Sequence, residues 1–298
     1  MSKPMDTIQL GPVSITRVVE IPRSTYPTAQ MLPDSTPHAI ARHLSWLKPH
    51  FWDDSTGDLG SRIQTYVVRT PEHTVLIDTG VGNDKTRVHN PVWNQRQGSF
   101  LGDLRAAGVT PEQVDYVLCT HLHVDHVGWN TRQVGGRWAP TFPRARYVMS
   151  GEEWQFWKYE SETGREEHGC IADSVVPVVD AGQAVFVDDD YAIGDYLRFE
   201  PSRGHTPGHV SVRLRTPAGE AVFSGDLMHR TVQVAEPQWS SCFCYDRAAA
   251  AKTRREFVER HADSGTLILP AHFPHPGYVV RANGGHRFVA AEAGKTAI

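Results

Sequence analysis

The stretch Thr120-His121-Leu122-His123-Val124-Asp125-His126 decides how the rest of the chain is read. Leu122 and Val124 alternate with His121, His123 and Asp125. An extended backbone would therefore put three polar side chains on one side and two apolar ones in a core. His126 follows where the chain must turn, so it can approach from another angle. Imidazole and carboxylate ligands suit zinc, manganese, cobalt or iron, and with no thiolate in the cluster softer metals are disfavoured. With 16 histidines in 298 residues, His-x-His-x-Asp-His arises by chance roughly a few times per thousand such chains. An incidental polar loop is the weaker reading.

One metal ion needs at least three protein ligands, so further donors should stand at other strand ends. Residues 114–119 read as a buried strand running straight into the histidine cluster. Downstream, His205-Thr206-Pro207-Gly208-His209 lies between two strands, and its Pro-Gly pair makes a tight turn that can present a side chain at a sheet edge. Ser224-Gly225-Asp226 ends a strand at residues 221–224, and Ala271-His272 follows one at 266–269. Singly, Asp226 could be a helix cap and His272 a surface histidine. Beside the first cluster they form a set.

Outward from these motifs the chain alternates strands and helices. Residues 63–68 and 74–77 read as a β-branched hairpin pair closed by Asp78-Thr79-Gly80. Strands are expected at 146–149, 184–187, 197–200 and 210–215. Helices are expected at 99–107, 152–159 and 247–261, the last with Asp246 as N-cap and Gly265 beyond its end. Residues 160–169, polar and glycine-containing, read as a loop. After a strand at 13–19, Pro22, Pro27, Pro33, Pro37 and Pro49, with Trp46, Phe51 and Trp52 among them, argue for an extended arm wrapping a surface. The pattern suits a sheet-on-sheet core with helices outside.

Bulk properties narrow the function classes. A chain that is 40% hydrophobic and 21% charged can bury a sizeable core. Its formal net charge of −4 gives no footprint for nucleic acid or an anionic membrane. No apolar run reaches the length of a membrane span, and no apolar stretch follows the first ten residues as a secretory signal would. Four cysteines do not make a disulfide framework, and Cys242-x-Cys244, lacking a second pair, reads as structural. Cytoplasmic is the expected compartment.

The order His-x-His-x-Asp-His, His-Thr-Pro-Gly-His, Gly-Asp, Ala-His resembles the metallo-β-lactamase superfamily, from Ile63 onward. The resemblance implies an α/β fold of the α+β four-layer kind, an αββα sandwich with metals at one end between two sheets. It makes residues 61–298 the catalytic domain and residues 1–60 an arm of the same unit, covering the site mouth or mediating a homodimer. Carried over by motif, His121, His123 and His209 would hold one metal. Asp125, His126 and His272 would hold the second, Asp226 would bridge, and Asp78 resembles the family's outer aspartate that orients a ligand histidine. His205 and His275 fall outside this ligand set. The Asp at 226, with both Asp125 and His126, looks like the dinuclear hydrolase branch and counts against antibiotic hydrolysis.

Within the superfamily the likeness is to the quorum-quenching lactonases and the methyl parathion hydrolase group. Gly225-Asp226-Leu227-Met228-His229 looks more like the latter. Lactonases of the well-known kind carry a tyrosine against the substrate carbonyl where this chain has His229, which could donate a hydrogen bond in its place or be structural. The implied enzyme is a metal-dependent hydrolase of neutral, apolar small-molecule esters: a lactone first, a carboxyl ester or phosphotriester second. Two divalent ions, zinc first with manganese, cobalt or iron open, would sit about 3.5–4 Å apart and bridge a hydroxide. Asp125 and Asp226 are candidate proton shuttles, and Trp129, Phe273 and Trp52 are candidates to line an apolar pocket. A di-iron oxidoreductase on the same scaffold and an RNA-processing nuclease are the rivals. The first usually needs a flavin partner domain, and the acidic balance opposes the second.

Overall fold

A computed structural model describes residues 7–291 except 24 and 283, and its chain divides into two compact units. Of the described residues, the first unit comprises those within 7–21 and 63–191, the second those within 22–62 and 192–291.

The first unit is built on seven strands in one sheet: β1 (Thr7–Leu10), β2 (Val13–Ile21), β3 (Ile63–Arg69), β4 (Thr74–Ile77), β5 (Tyr116–Leu118), β6 (Arg146–Ser150) and β7 (Ala184–Val187). Their order across the sheet follows their order along the chain. β1 to β4 pair antiparallel, and β4 to β7 pair parallel. The central strands are apolar on both faces, with Val67, Val68, Val75, Leu76, Val117 and Leu118 all buried, the composition expected of strands covered on both sides. Parallel pairing requires crossovers, and these carry α1 (Phe100–Ala106) between β4 and β5, and α2 (Gly151–Glu162) after β6.

The second unit also holds seven strands in chain order: β8 (Ala192–Ile193), β9 (Leu197–Pro201), β10 (Val210–Thr216), β11 (Gly219–Phe223), β12 (Leu267–Leu269), β13 (Gly277–Ala282) and β14 (Gly285–Ala290). Only the β11–β12 pair is parallel, and its crossover carries α3 (Arg247–His261). Asp246 caps α3 as expected, accepting from the N–H groups of Ala248 and Ala249. Val222, Ile268, Phe273 and Phe288 belong to one buried cluster with Phe257 and Val258 of α3.

Most expected strands are present within a residue or two, and the mixed sheets match the expected α/β class. Four stretches differ. Residues 120–126 are not extended: β5 stops at Leu118, and the chain turns so that His126 N–H donates to His123 O at 3.0 Å. Residues 28–47 form three short helices, Thr28–Met31, Pro37–Ala41 and Leu44–Leu47, instead of an extended arm. Pro37 sits at the start of its helix, where a missing N–H costs nothing, behind the capping hydroxyl of Thr36. α2 continues through residue 162, past the expected loop start. The β13–β14 hairpin was not expected, although the Asn-Gly pair at 283–284 in the sequence is a strong hairpin signal. No helix among the described residues is long and apolar enough to cross a membrane.

His261, in the last turn of α3, packs its ring on Phe257 at 4.4 Å between centroids. Burial pushes its pKa down to about 4, against about 6.5 in an unfolded chain. Between those values the unfolded state binds the extra proton, so stability falls as pH drops through that window. A His261→Leu variant should lose less stability between pH 7 and pH 5 than the parent, read from urea midpoints at the two pH values.

Candidate metal centre

In the first unit, parallel neighbours β4 and β5 end side by side, with Ile77 opposite Leu118. Asp78 leaves this edge at φ +55, in the left-handed region, and its N–H still donates to Leu118 O at 2.9 Å. The turn aims the Asp78 carboxylate back at the 120s segment. Oδ1 accepts from Thr120 N–H, and Oδ2 accepts from Thr120 Oγ1 and His126 Nδ1, each at 2.8 Å. A proton on His126 Nδ1 leaves the lone pair on Nε2, which lies 3.7 Å from Asp125 Oδ1. The Thr120 hydroxyl is a donor to Asp78, so it accepts from His121 Nδ1 at 3.0 Å. That places the His121 lone pair on Nε2, 3.1 Å from His123 Nδ1. Both ring orientations are therefore set by one carboxylate.

A second carboxylate holds the other side of the same segment. Buried Glu153 accepts from Leu122 N–H at 3.0 Å and from Trp157 Nε1 at 2.7 Å, and the Trp157 ring meets His123 edge-on at 5.1 Å. Leu122 and Val124 are buried as expected although the segment is a turn, because side chains supply the hydrogen bonds that a ladder would have given.

In the second unit, Phe223 of β11 is paired with Leu269 of β12, so Asp226 and His272 leave one edge. The buried Asp226 carboxylate faces several imidazoles. His272 Nε2 is 2.8 Å from Oδ1, while His229 Nε2 and His205 Nε2 are 3.1 and 3.3 Å from Oδ2. His272 Nδ1 donates to Arg62 O at 2.8 Å, which fixes its tautomer. A neutral His272 then turns a lone pair, not a proton, toward the carboxylate, and two such groups at 2.8 Å repel. A cation shared between them removes the conflict, so this donor set fits a divalent metal. His229 is stacked on His272 at 5.6 Å, and burial pushes its pKa down to about 4. Its Nδ1 has no hydrogen-bond partner among the described residues.

The two histidines of His-Thr-Pro-Gly-His have different surroundings. His209 was expected to be a ligand, but its Nε2 accepts from Asp226 N–H at 3.0 Å and its Nδ1 meets Ser202 Oγ at 2.8 Å. Both ring nitrogens are spent inside the protein. His205, which had been left out, brings Nε2 to the Asp226 carboxylate. The paired histidines of His-Thr-Pro-Gly-His look equivalent in sequence, and only the turn after β9 separates them.

The expected pocket residues also divide. Trp129 is buried, donates Nε1 to Glu20 at 2.8 Å and stacks on Phe100 at 5.2 Å, so it is core. Phe273 is core as well, meeting Phe288 edge-on at 5.2 Å. Trp52 is half-buried and lines a cavity of about 610 Å³ in the second unit. Glu20 was missed altogether. It accepts from Val81 N–H and Trp129 Nε1, and burial raises its pKa despite these bonds. Cys242 and Cys244 are free thiols.

Residues 60–272 match the family model of the metallo-beta-lactamase superfamily. The chain is 25% identical to an N-acyl homoserine lactonase of Bacillus cereus over 166 residues, 51% of this chain and 57% of that one. It is 30% identical to the N-acyl homoserine lactonase AttM of Azorhizobium caulinodans over 145 residues, 44% of this chain and 46% of that one. The chain thus spans about half the length of these curated relatives. Among solved structures it is similar to the hydrolase AbOPH of the beta lactamase superfamily, with a TM-score of 0.80 at 25% identity, covering 98% of this chain and 99% of that one. It shares the fold of AidC, a dizinc quorum-quenching lactonase, with a TM-score of 0.76 at 19% identity over 97% of both chains.

Replacing Asp78 by Asn puts an amide donor where His126 Nδ1–H now donates and disturbs the tautomer. Asp78→Asn should weaken zinc binding by about 10–100-fold in competition with a chromophoric chelator. Unchanged affinity would show that the carboxylate does not orient a ligand.

Proposed function

This chain belongs to the metallo-β-lactamase superfamily, and on that premise we propose that it is a dinuclear metal-dependent hydrolase of neutral, apolar esters, a lactone first. The observation that carries the proposal is the buried Asp226 carboxylate facing the Nε2 atoms of His205, His229 and His272, with the His272 tautomer fixed by Arg62 O. By the order of the family's motifs, His121, His123 and His209 would hold the first ion and Asp125, His126 and His272 the second, with Asp226 shared; His205, whose Nε2 faces Asp226, is a further candidate ligand. Zinc is the first choice of metal.

When bound, two divalent cations supply an activated water at neutral pH and polarise the ester carbonyl. The chain's own groups do the rest. Asp78 keeps the lone pairs of His121 and His126 outward through Thr120. Asp125 and Asp226 are the carboxylates available to take and return a proton. His229, neutral at working pH, can turn a ring N–H toward a carbonyl or phosphoryl oxygen, as tyrosine does in the lactonases this chain resembles.

The substrate class is supported by relatives called N-acyl homoserine lactonases and by the cavity in the second unit. Its wall comes mostly from residues 22–62 and includes Tyr26, Phe51, Trp52 and Pro274, the last two residues beyond His272. A volume of about 610 Å³ is within the range of small-molecule sites. Four wall prolines, Pro22, Pro27, Pro49 and Pro274, stiffen it. A phosphotriester is the second reading, favoured by His229 in place of tyrosine.

Two measurements bear on this reading. His205→Ala protein should retain less zinc after dialysis than the parent, by elemental analysis; parental zinc content would return the ligand role to another side chain. On metal-loaded enzyme, a long-chain N-acyl homoserine lactone should exceed an aryl dialkyl phosphotriester in kcat/KM by about a hundredfold, roughly 2.7 kcal/mol of preferential transition-state binding. Asp226→Asn serves as the metal-dependence control. A lead for the triester, or no turnover of either, rejects the lactone.

A further inference from the structure

The segment from Asp226 to Trp239 carries two residues of the proposed centre, and much of its backbone is bonded by buried side chains. Arg254, on α3, donates from Nε to Leu227 O at 2.7 Å and from one terminal nitrogen to Pro237 O at 2.7 Å and Trp239 O at 3.0 Å. Its fork therefore ties both ends of the segment together. Gln233 accepts with Oε1 from His229 N–H at 2.7 Å and Arg230 N–H at 2.9 Å, while its Nε2 donates to Trp239 O at 2.7 Å. Arg230 donates to His229 O at 3.0 Å and to Tyr26 O at 2.7 Å. Arg254 and Gln233 are fully buried, and the Asp226 N–H is held by His209.

Packing alone does not account for these residue types. A buried guanidinium is expensive, and an apolar side chain would fill the space at lower cost. Among the described contacts Arg254 is held by carbonyl oxygens rather than by a carboxylate, so it makes no ion pair in return for its burial. Nε and one terminal nitrogen, held in one plane, reach these three carbonyls in a geometry that lysine or an apolar residue cannot reproduce. The carbonyl of residue 227 and the N–H and carbonyl of residue 229 flank the side chains that face one another, Asp226 and His229.

We infer that Arg254 and Gln233 are positioning residues that hold the Asp226–His229 turn in its metal-binding shape before any metal arrives. The inference rests on the proposed function for its purpose, but its first test does not. In the chelator-stripped protein, the amides of His229 and Arg230 should exchange hydrogen as slowly as those of Val222 and Phe223 in β11. Exchange at the rate of an exposed loop would overturn the inference with no variant needed.

The second test uses zinc competition and steady-state kinetics. Arg254→Lys keeps the charge but not the fork, and should bind zinc about tenfold or more weakly, with a lower kcat and a KM little changed. Gln233→Glu keeps both acceptor contacts to His229 and Arg230 and should retain zinc affinity within about threefold of the parent. Parental zinc affinity in Arg254→Lys overturns the inference. Should that variant not fold, Gln233→Leu enters the same titration, where parental affinity overturns it equally. A parent protein that binds no zinc would sink the proposed function instead, and leave the exchange result to decide whether the turn is clamped.

Discussion

One buried carboxylate organises the histidine cluster of the first unit. Asp78 stands at the end of β4, beside the end of β5, because two parallel strands pair up to Ile77 and Leu118. Beyond those residues the ladder stops, and the freed N–H groups must find other acceptors. Asp78 accepts from Thr120 N–H and Glu153 accepts from Leu122 N–H. Because carboxylates do this work, the chain can turn at once, and the same Asp78 oxygen that accepts from the Thr120 hydroxyl also sets the tautomer of His126. Fold and ligand orientation are a single hydrogen-bond network here, which is why the left-handed backbone of Asp78 is retained at some cost.

The second unit reaches a comparable result by different means. Asp226 itself faces the imidazoles, and the fixing groups are neutral or cationic: Arg62 O for His272, His209 for the Asp226 N–H, Gln233 for His229. A carboxylate crowded by imidazoles is stable only if positive charge accompanies it. With His229 held neutral by burial, a proton or a metal must supply that charge. The approach of a His272 lone pair to the Asp226 carboxylate and the suitability of the site for a divalent ion are one property.

Element existence was legible in the residues because the strands are β-branched and the long helix has both a cap and a following glycine; Arg247–His261 was read from its ends inward. The metal motifs were legible because the spacing of His and Asp is improbable by chance. What could not be read were choices settled by tertiary partners. The 120s segment alternates like a strand, yet its bonds go to Asp78 and Glu153, and neither partner is near in sequence. The prolines of residues 22–49 suggested extension, but Pro37 starts a helix as readily as it ends one. Trp129 lies three residues beyond the candidate ligand His126, and closeness along the chain suggested a pocket role; the indole donates to the buried Glu20.

The two histidines of His-Thr-Pro-Gly-His show why a motif names residue types more reliably than surroundings. Both imidazoles are buried on one turn, and either could reach a metal in principle. What separates them is the partner of the second nitrogen. His209 has Ser202 Oγ on one side and a backbone N–H on the other, so it is complete as a neutral, doubly bonded ring. His205 has the weakly polar Cys244 thiol at 3.5 Å from Nδ1, and its Nε2 faces a carboxylate. A sulfur is a poor competitor for a ring nitrogen, so the stronger polar contact of His205 is the one its Nε2 makes with Asp226. The second His of the motif then has its own purpose. By accepting the Asp226 N–H it anchors the residue that the first one serves, and the two histidines are needed together for opposite reasons.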